Sequence, residues 1–241
     1  MTRVKVVSVF PELLGTYGDS GNALVVSKRL ALRGFEVTLV EANLKSGVPN
    51  DGDFYLIGGG EDGPQARAAE LLSADKPIEH ALASGAALLA VCAGFQILGA
   101  SFLGPDLQPR NGIGIFGCVT HRFEGPRSVG ELIVAPPDDL GHMGLLTGYE
   151  NHQGVTELLQ GAKPLGAVVA GNGNNYGTKV DGAINGRALG TYMHGPVFAR
   201  NPQLCDFFIS LVLGSLEPID DSELSAAHEN LYSERIDQVI K

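Results

Sequence analysis

The sequence predicts an α/β fold: a mostly parallel central sheet with flanking helices and an antiparallel extension. Two observations predict the parallel part. Short apolar runs alternate with helix-like segments over the first hundred residues. A strand, helix, strand order without a hairpin turn also requires a crossover, which leaves the two strands parallel. The extension follows from a third observation: after Gly104 the pattern changes to shorter strand-like pieces broken by glycine and asparagine turns. With 241 residues, 44% of them hydrophobic, the chain can bury one large core, and no repeat, long linker or low-complexity segment divides it. Residues 1–241 are therefore read as a single domain with a helical tail from about residue 220.

Taken in order, residues 5–10 form the first strand rather than a secretory leader, since no long apolar h-region follows a basic start. A glycine-punctuated loop, residues 14–22, leads to a helix over about 23–33, with Asp19, Ser20 or Asn22 as its cap and Gly34 as its stop. The loop glycines at 15, 18 and 21 lack the G-x-G-x-x-G spacing of a dinucleotide fingerprint. Strands at 35–40 and 54–57 follow, the latter running straight into Gly58, Gly59 and Gly60. Helices at 64–72 and 77–84 lead to an apolar run, 86–91, long enough for one fully buried strand. Residues 81–105 carry no charge and could span a bilayer by length, but their glycines, serines and Gln96 fit a strand, turn and helix better. Strands at 113–120, 130–134, 147–154 and 166–169, with a reversing turn at 171–175, make up the extension, and a further strand at 187–193 ends at His194. Asn201 and Pro202 open a helix that reaches residue 213, and the tail reads as amphipathic.

The chemistry centres on Cys92. It ends the buried run and is followed by Ala93 and Gly94, which permit the tight strand-to-helix turn that lifts a nucleophile above a sheet. The alternative is an inert core cysteine. Three successive glycines after the 54–57 strand let backbone approach a ligand and turn N–H groups inward, as an oxyanion hole requires; a plain turn is the alternative. A cysteine nucleophile needs a base. His194 closes a predicted strand and so shares the carboxyl edge of a parallel sheet with Cys92, with His152 in reserve. His80 and His228 read as surface helix residues, and His121 and His142 as loop or short-strand residues.

Composition excludes some classes. A net charge of −10 argues against a nucleic-acid backbone as partner. Cysteines at 92, 118 and 205 show neither C-x-x-C spacing nor even pairing, which points to a reducing, cytoplasmic setting without a disulfide framework. No His, Cys and carboxylate cluster has metal-ligand spacing, so no metal is expected.

The glycine triplet, the Cys-Ala-Gly-Phe-Gln turn and the later His resemble class I glutamine amidotransferases over most of the chain. The segments 16–22, 148–152 and 192–196 are similar to the cobyric-acid-synthase-like branch, and to its lipid II isoglutaminyl synthase glutaminases. That resemblance implies a flavodoxin-like fold and hydrolysis of L-glutamine through a thioester on Cys92, with His194 moving the protons. It also implies an oxyanion hole from Gly59, Gly60 and Ala93, and a glutamine pocket lined by Gln96. Arg127 matches a substrate-binding arginine and could pair with the α-carboxylate; a surface arginine without a role is the alternative. One departure matters: the Glu that commonly stands two residues after the His is Pro196 here. The orienting acid is then expected from Glu150 or from a partner.

No Gly-x-x-x-x-Gly-Lys-Ser/Thr is present, so the chain is expected to hold no cofactor of its own. Making an amide from a carboxylate and ammonia needs activation, so ATP and Mg are expected on another subunit. The resemblance implies a MurT-like ligase in a heterodimer, acting on a membrane-anchored acceptor. Two alternatives remain at this stage: a glutaminase of another amidating complex, of the cobyrinic acid or pyridoxal phosphate type, or a non-catalytic scaffold on the same fold.

Overall fold

The computed structural model describes residues 2–220 and 232–239. Its first half contains β1 (Arg3–Val9), α1 (Pro11–Leu14), α2 (Gly21–Leu32), β2 (Glu36–Ala42), β3 (Phe54–Ile57), α3 (Asp62–Asp75), α4 (Pro77–Ala83), β4 (Ala87–Val91) and α5 (Ala93–Ile97). The second half adds β5 (Ser101–Leu103), β6 (Pro109–Asn111), β7 (Cys118–Arg122), β8 (Ser128–Ala135), β9 (Leu146–His152) and β10 (Gly154–Leu158). It continues with β11 (Gly166–Ala170), β12 (Val180–Asp181), β13 (Ala183–Asn185), β14 (Ala188–Thr191), α6 (Val197–Arg200) and α7 (Pro202–Leu213).

The central sheet has the order β13-β14-β4-β3-β1-β2. Every pairing from β14 to β2 is parallel, and only β13 runs against its neighbour. Strands β3 and β4 are apolar along their whole length because both faces are covered, and all nine of their residues are buried. Helix α2 packs on β1, β2 and β3 and against α7, while α3 packs with α1 and α5. Phe208 of α7 and Phe54 of β3 meet with ring centroids 5.5 Å apart. Such a sheet gathers the carboxyl ends of β1, β3, β4 and β14 on one edge, where ligands of open α/β sheets bind.

The predicted extension is a separate structure. Its strands form two further four-stranded sheets, β10-β7-β5-β6 and β12-β11-β8-β9, and do not lengthen the central one. Residues 113–117 are not strand, because their N–H groups close onto the end of α5: Ile113, Gly114 and Phe116 donate to the carbonyls of Ile97, Gly99 and Leu98. The predicted strand over 187–193 stops at Thr191, where the Tyr192 N–H leaves the ladder and donates to Asp181. The Asn-Gly stretch at 171–175 does more than reverse the chain, as its amides hold a buried carboxylate described below. Residues 232–239 are helical, the rest of the predicted tail helix lying outside the described residues apart from residue 220, which is not helical. Among the described residues no helix is long and apolar enough to cross a membrane.

Candidate active site

Cys92 follows β4 with φ 51° and ψ −107°, a conformation that side chains with a Cβ avoid. The kink swings the chain off the sheet and starts α5 at the next residue. Gly94 makes it possible: a Cβ there would lie 2.7 Å from Ile57 Cγ2 and 2.9 Å from the carbonyl oxygens of Ile57 and Gly58. Its N–H donates to the Gly58 carbonyl at 3.1 Å, which pins the turn to the end of β3.

The glycine triplet is a close-approach device. A Cβ on Gly60 would sit 2.6 Å from the Leu13 carbonyl oxygen. On Gly59 it would lie 2.6 Å from His194 Cε1, 3.2 Å from Asp19 Oδ2 and 3.4 Å from Cys92 Cβ. One backbone position thus touches all three side chains around which the site is built.

His194 lies beyond β14, clamped to β9 by two backbone hydrogen bonds, its N–H donating to Tyr149 at 2.8 Å and its carbonyl accepting from Tyr149 at 3.1 Å. Its Nδ1 is 2.7 Å from Asp19 Oδ2, which also accepts the Gly59 N–H at 2.9 Å. With Nδ1 held as donor, Nε2 is left to face the Cys92 thiol. Burial pulls the His194 pKa down, but the hydrogen bonds to Asp19 and Cys92 and the charges of both outweigh it, and the imidazole is pushed up to about 10. The sulfur, the imidazole and the carboxylate therefore stand in the order of a nucleophile, base and orienting acid.

The carboxylate that reaches His194 is Asp19, where the sequence pointed to Glu150 or a partner. Glu150 is buried on β9, and its oxygens accept the N–H groups of Asn172 and Gly173 at 2.9 Å each. Its Oε2 is 3.5 Å from Nε2 of His152, the reserve base. His152 in turn donates from Nδ1 to the Gly154 carbonyl at 2.8 Å and stacks on Tyr192 at 3.9 Å, so the structure brings His194 and not His152 to Asp19. A second correction concerns the oxyanion donors. The Gly59 N–H is committed to Asp19, whereas those of Gly60 and Ala93 make no hydrogen bond among the described residues and belong to residues that line the cavity.

That cavity, about 250 Å³, opens above Cys92 and His194. Gln96 forms part of its wall, its amide oxygen accepting from Gln65 at 2.7 Å and its amide nitrogen donating to Tyr192 Oη at 3.0 Å. Burial pushes the Tyr192 phenol up, and its oxygen shares a hydrogen bond with Thr156 Oγ1 at 2.7 Å. Glu61 and Asp62 stand at the mouth together with Arg122 and Arg127, so the lining carries both signs of charge. Arg127 is exposed and lies over Asn151, donating to its side-chain and backbone oxygens. His121 is also at this mouth, His80 is an exposed residue of α4, His142 lies in the 3-10 turn Asp138–Met143, and His228 falls outside the described residues.

Comparison with known proteins agrees with this geometry. The model of the CobB/CobQ-like glutamine amidotransferase domain matches residues 5–202. The chain is 33% identical over 211 residues to the GatD subunit of the glutamine-hydrolysing lipid II isoglutaminyl synthase of Staphylococcus aureus (strain N315), covering 87% of this chain and 84% of that one. It is 32% identical over 214 residues to the same subunit of Streptococcus pneumoniae (strain ATCC BAA-255 / R6), covering 88% and 81%. In fold it is similar to the crystal structure of a glutamine amidotransferase, with a TM-score of 0.57 at 20% identity over 86% of this chain and 98% of that one. A glutamine amidotransferase of Thermotoga maritima aligns with a TM-score of 0.52 at 16% identity over 96% and 92%. A nucleophile turn, a His on the neighbouring strand end and a family match over most of the length agree: the chain belongs to the CobB/CobQ-like glutamine amidotransferases.

Proposed function

We propose that this chain is the glutaminase subunit of a two-protein amidating enzyme. It hydrolyses L-glutamine and supplies ammonia to a MurT-like, ATP-dependent ligase that amidates the D-glutamate of the lipid II stem peptide. The observation that carries the hydrolytic half is the Cys92, His194 and Asp19 line at the floor of a cavity lined by both acidic and basic groups. Such a lining suits an amino acid zwitterion, with Arg127 at the α-carboxylate and Glu61 or Asp62 at the α-ammonium. The acceptor is carried over from the GatD relatives.

In this reading the Cys92 sulfur, its proton passed to His194, attacks the side-chain carbonyl carbon of glutamine. The developing oxyanion takes the Gly60 and Ala93 N–H groups. His194 returns the proton to the departing nitrogen, ammonia leaves and a glutamyl thioester remains on Cys92. Water, deprotonated by the now neutral imidazole, attacks that thioester, and the thiol and glutamate are released. Asp19 touches neither substrate nor sulfur; it holds the imidazole with Nε2 toward them. ATP and Mg belong to the partner, which activates the acceptor carboxylate.

The test is direct. The full chain incubated with L-glutamine is expected to release glutamate and ammonia in equal amounts, and to amidate lipid II only when the ligase and ATP are added. No release of ammonia, with or without the ligase, overturns the hydrolase reading. Release without transfer to lipid II, in the presence of the ligase, overturns only the acceptor.

A further inference from the structure

Two cavity residues that the mechanism leaves without a role, Asn151 and Tyr17, are joined with Arg127 in one line across its mouth. Arg127 stands immediately before β8, and its guanidinium folds back over β9, where Nε donates to Asn151 Oδ1 and Nη2 to the Asn151 carbonyl at 3.1 Å. The Asn151 amide donates in the other direction, to Tyr17 Oη at 2.6 Å. Tyr17 sets its ring edge against His194, with centroids 4.9 Å apart and planes at 63°. Its backbone is left-handed, φ 59°, and it remains 44% exposed. A bulky residue disfavours that conformation, and the Asn151 contact is its visible compensation.

We propose that Asn151 is a positioning residue for substrate selection, a deepening that rests on the reading of Arg127 as the carboxylate site. Both hydrogen bonds that orient the guanidinium end on Asn151, whereas Nη1 makes none among the described residues and is free for a ligand. Arginine is long and loses rotamer freedom on binding, so fixing it beforehand lowers the cost of engaging a carboxylate. The same Asn151 amide ties the loop that carries Tyr17 and Asp19 to the sheet that carries Arg127. An amino acid with its α-carboxylate on Arg127 therefore sits under a roof already locked against His194. The substrate class selected is an α-carboxylate bearing primary amide, discriminated from the same amide with its carboxylate blocked.

The experiment compares hydrolysis of L-glutamine and of L-glutaminamide, which lacks the α-carboxylate, by the full chain and by Asn151→Ala, Arg127→Ala, the double variant and Tyr17→Phe. In Asn151→Ala the KM for glutamine is expected to rise about 10-fold with kcat within about 2-fold, the size of one hydrogen bond to a charged group. The glutamine preference over glutaminamide falls by the same factor. The double variant should be no worse than Arg127→Ala alone, because Asn151 acts through that arginine. Tyr17→Phe keeps the ring against His194 and is expected to change KM by less than about 3-fold. Equal loss on both substrates in Asn151→Ala, or additive loss in the double variant, overturns the inference. An Arg127→Ala chain that keeps its preference for glutamine overturns it too, and leaves the hydrolase reading standing. A wild-type chain that hydrolyses neither amide removes the hydrolase reading itself and this inference with it.

Discussion

Cys92→Ala lowers glutamine hydrolysis by about 10⁶-fold, to the level that pocket and oxyanion donors sustain alone. The size follows from what the substitution removes. The backbone turn stays, because Ala tolerates φ 51° and ψ −107° no better and no worse than Cys. Gly94 still packs on Ile57, and Gly60 and Ala93, whose N–H groups make no hydrogen bond among the described residues, still line the cavity. Only the sulfur is lost, so folding stability is expected to change by less than about 1 kcal/mol, as measured by thermal unfolding. A second variant separates strain from chemistry. Cys92→Gly is equally inactive but relieves the backbone, and it is expected to melt above Cys92→Ala. Retention of more than about 1% of the activity in Cys92→Ala would mean that the nucleophile is elsewhere.

What could be read from the sequence divides along a physical line. Local pattern placed β3 at residues 54–57 and the nucleophile turn at Cys92, since an apolar run ended by small residues has few other solutions. His194 was legible for a topological reason: a parallel sheet delivers every strand's carboxyl end to one edge. Asp19 was not. It sits in a loop of glycines and polar residues, and within that loop it looks like a helix cap. In the structure α2 has Ser20 at its cap position, with no side-chain cap bond, and the Asp19 carboxylate turns to a histidine far along the chain. Its place just beyond β1, on the same sheet edge as Cys92, is the signal that could have found it. Glu150 misled for the opposite reason: a carboxylate in the sequence says nothing about where its oxygens find donors, and these accept the Asn172 and Gly173 N–H groups. The two further sheets, one of them with a parallel β5–β7 pairing, were hidden because alternation marks a strand without naming its neighbour, and register depends on contacts made across the fold.

Asp19→Asn is expected to lower kcat/KM for glutamine by roughly two to four orders of magnitude while leaving the fold intact. The geometry makes this a clean exchange. Asp19 Oδ2 accepts from both His194 Nδ1 and the Gly59 N–H, and Oδ1 has no hydrogen-bond partner among the described residues, so an Asn with its carbonyl at the Oδ2 position keeps both bonds and loses the charge. Without that charge the imidazolium is less favoured. The sign of the pH effect follows. In the native chain the His194 pKa is raised from 6.5 to about 10, so the protonated pair contributes stability fully below pH 6.5 and loses it as pH rises through 10. Activity that depends on the imidazolium should hold through neutral pH and fall near pH 10, and in Asp19→Asn this alkaline limb moves to lower pH. A partner-supplied acid makes a different forecast: the isolated chain would be weak and indifferent to Asp19→Asn, and the complex strong. An isolated chain that hydrolyses glutamine at the rate of the complex, and loses that rate together with its alkaline limb in Asp19→Asn, locates the third group inside this chain.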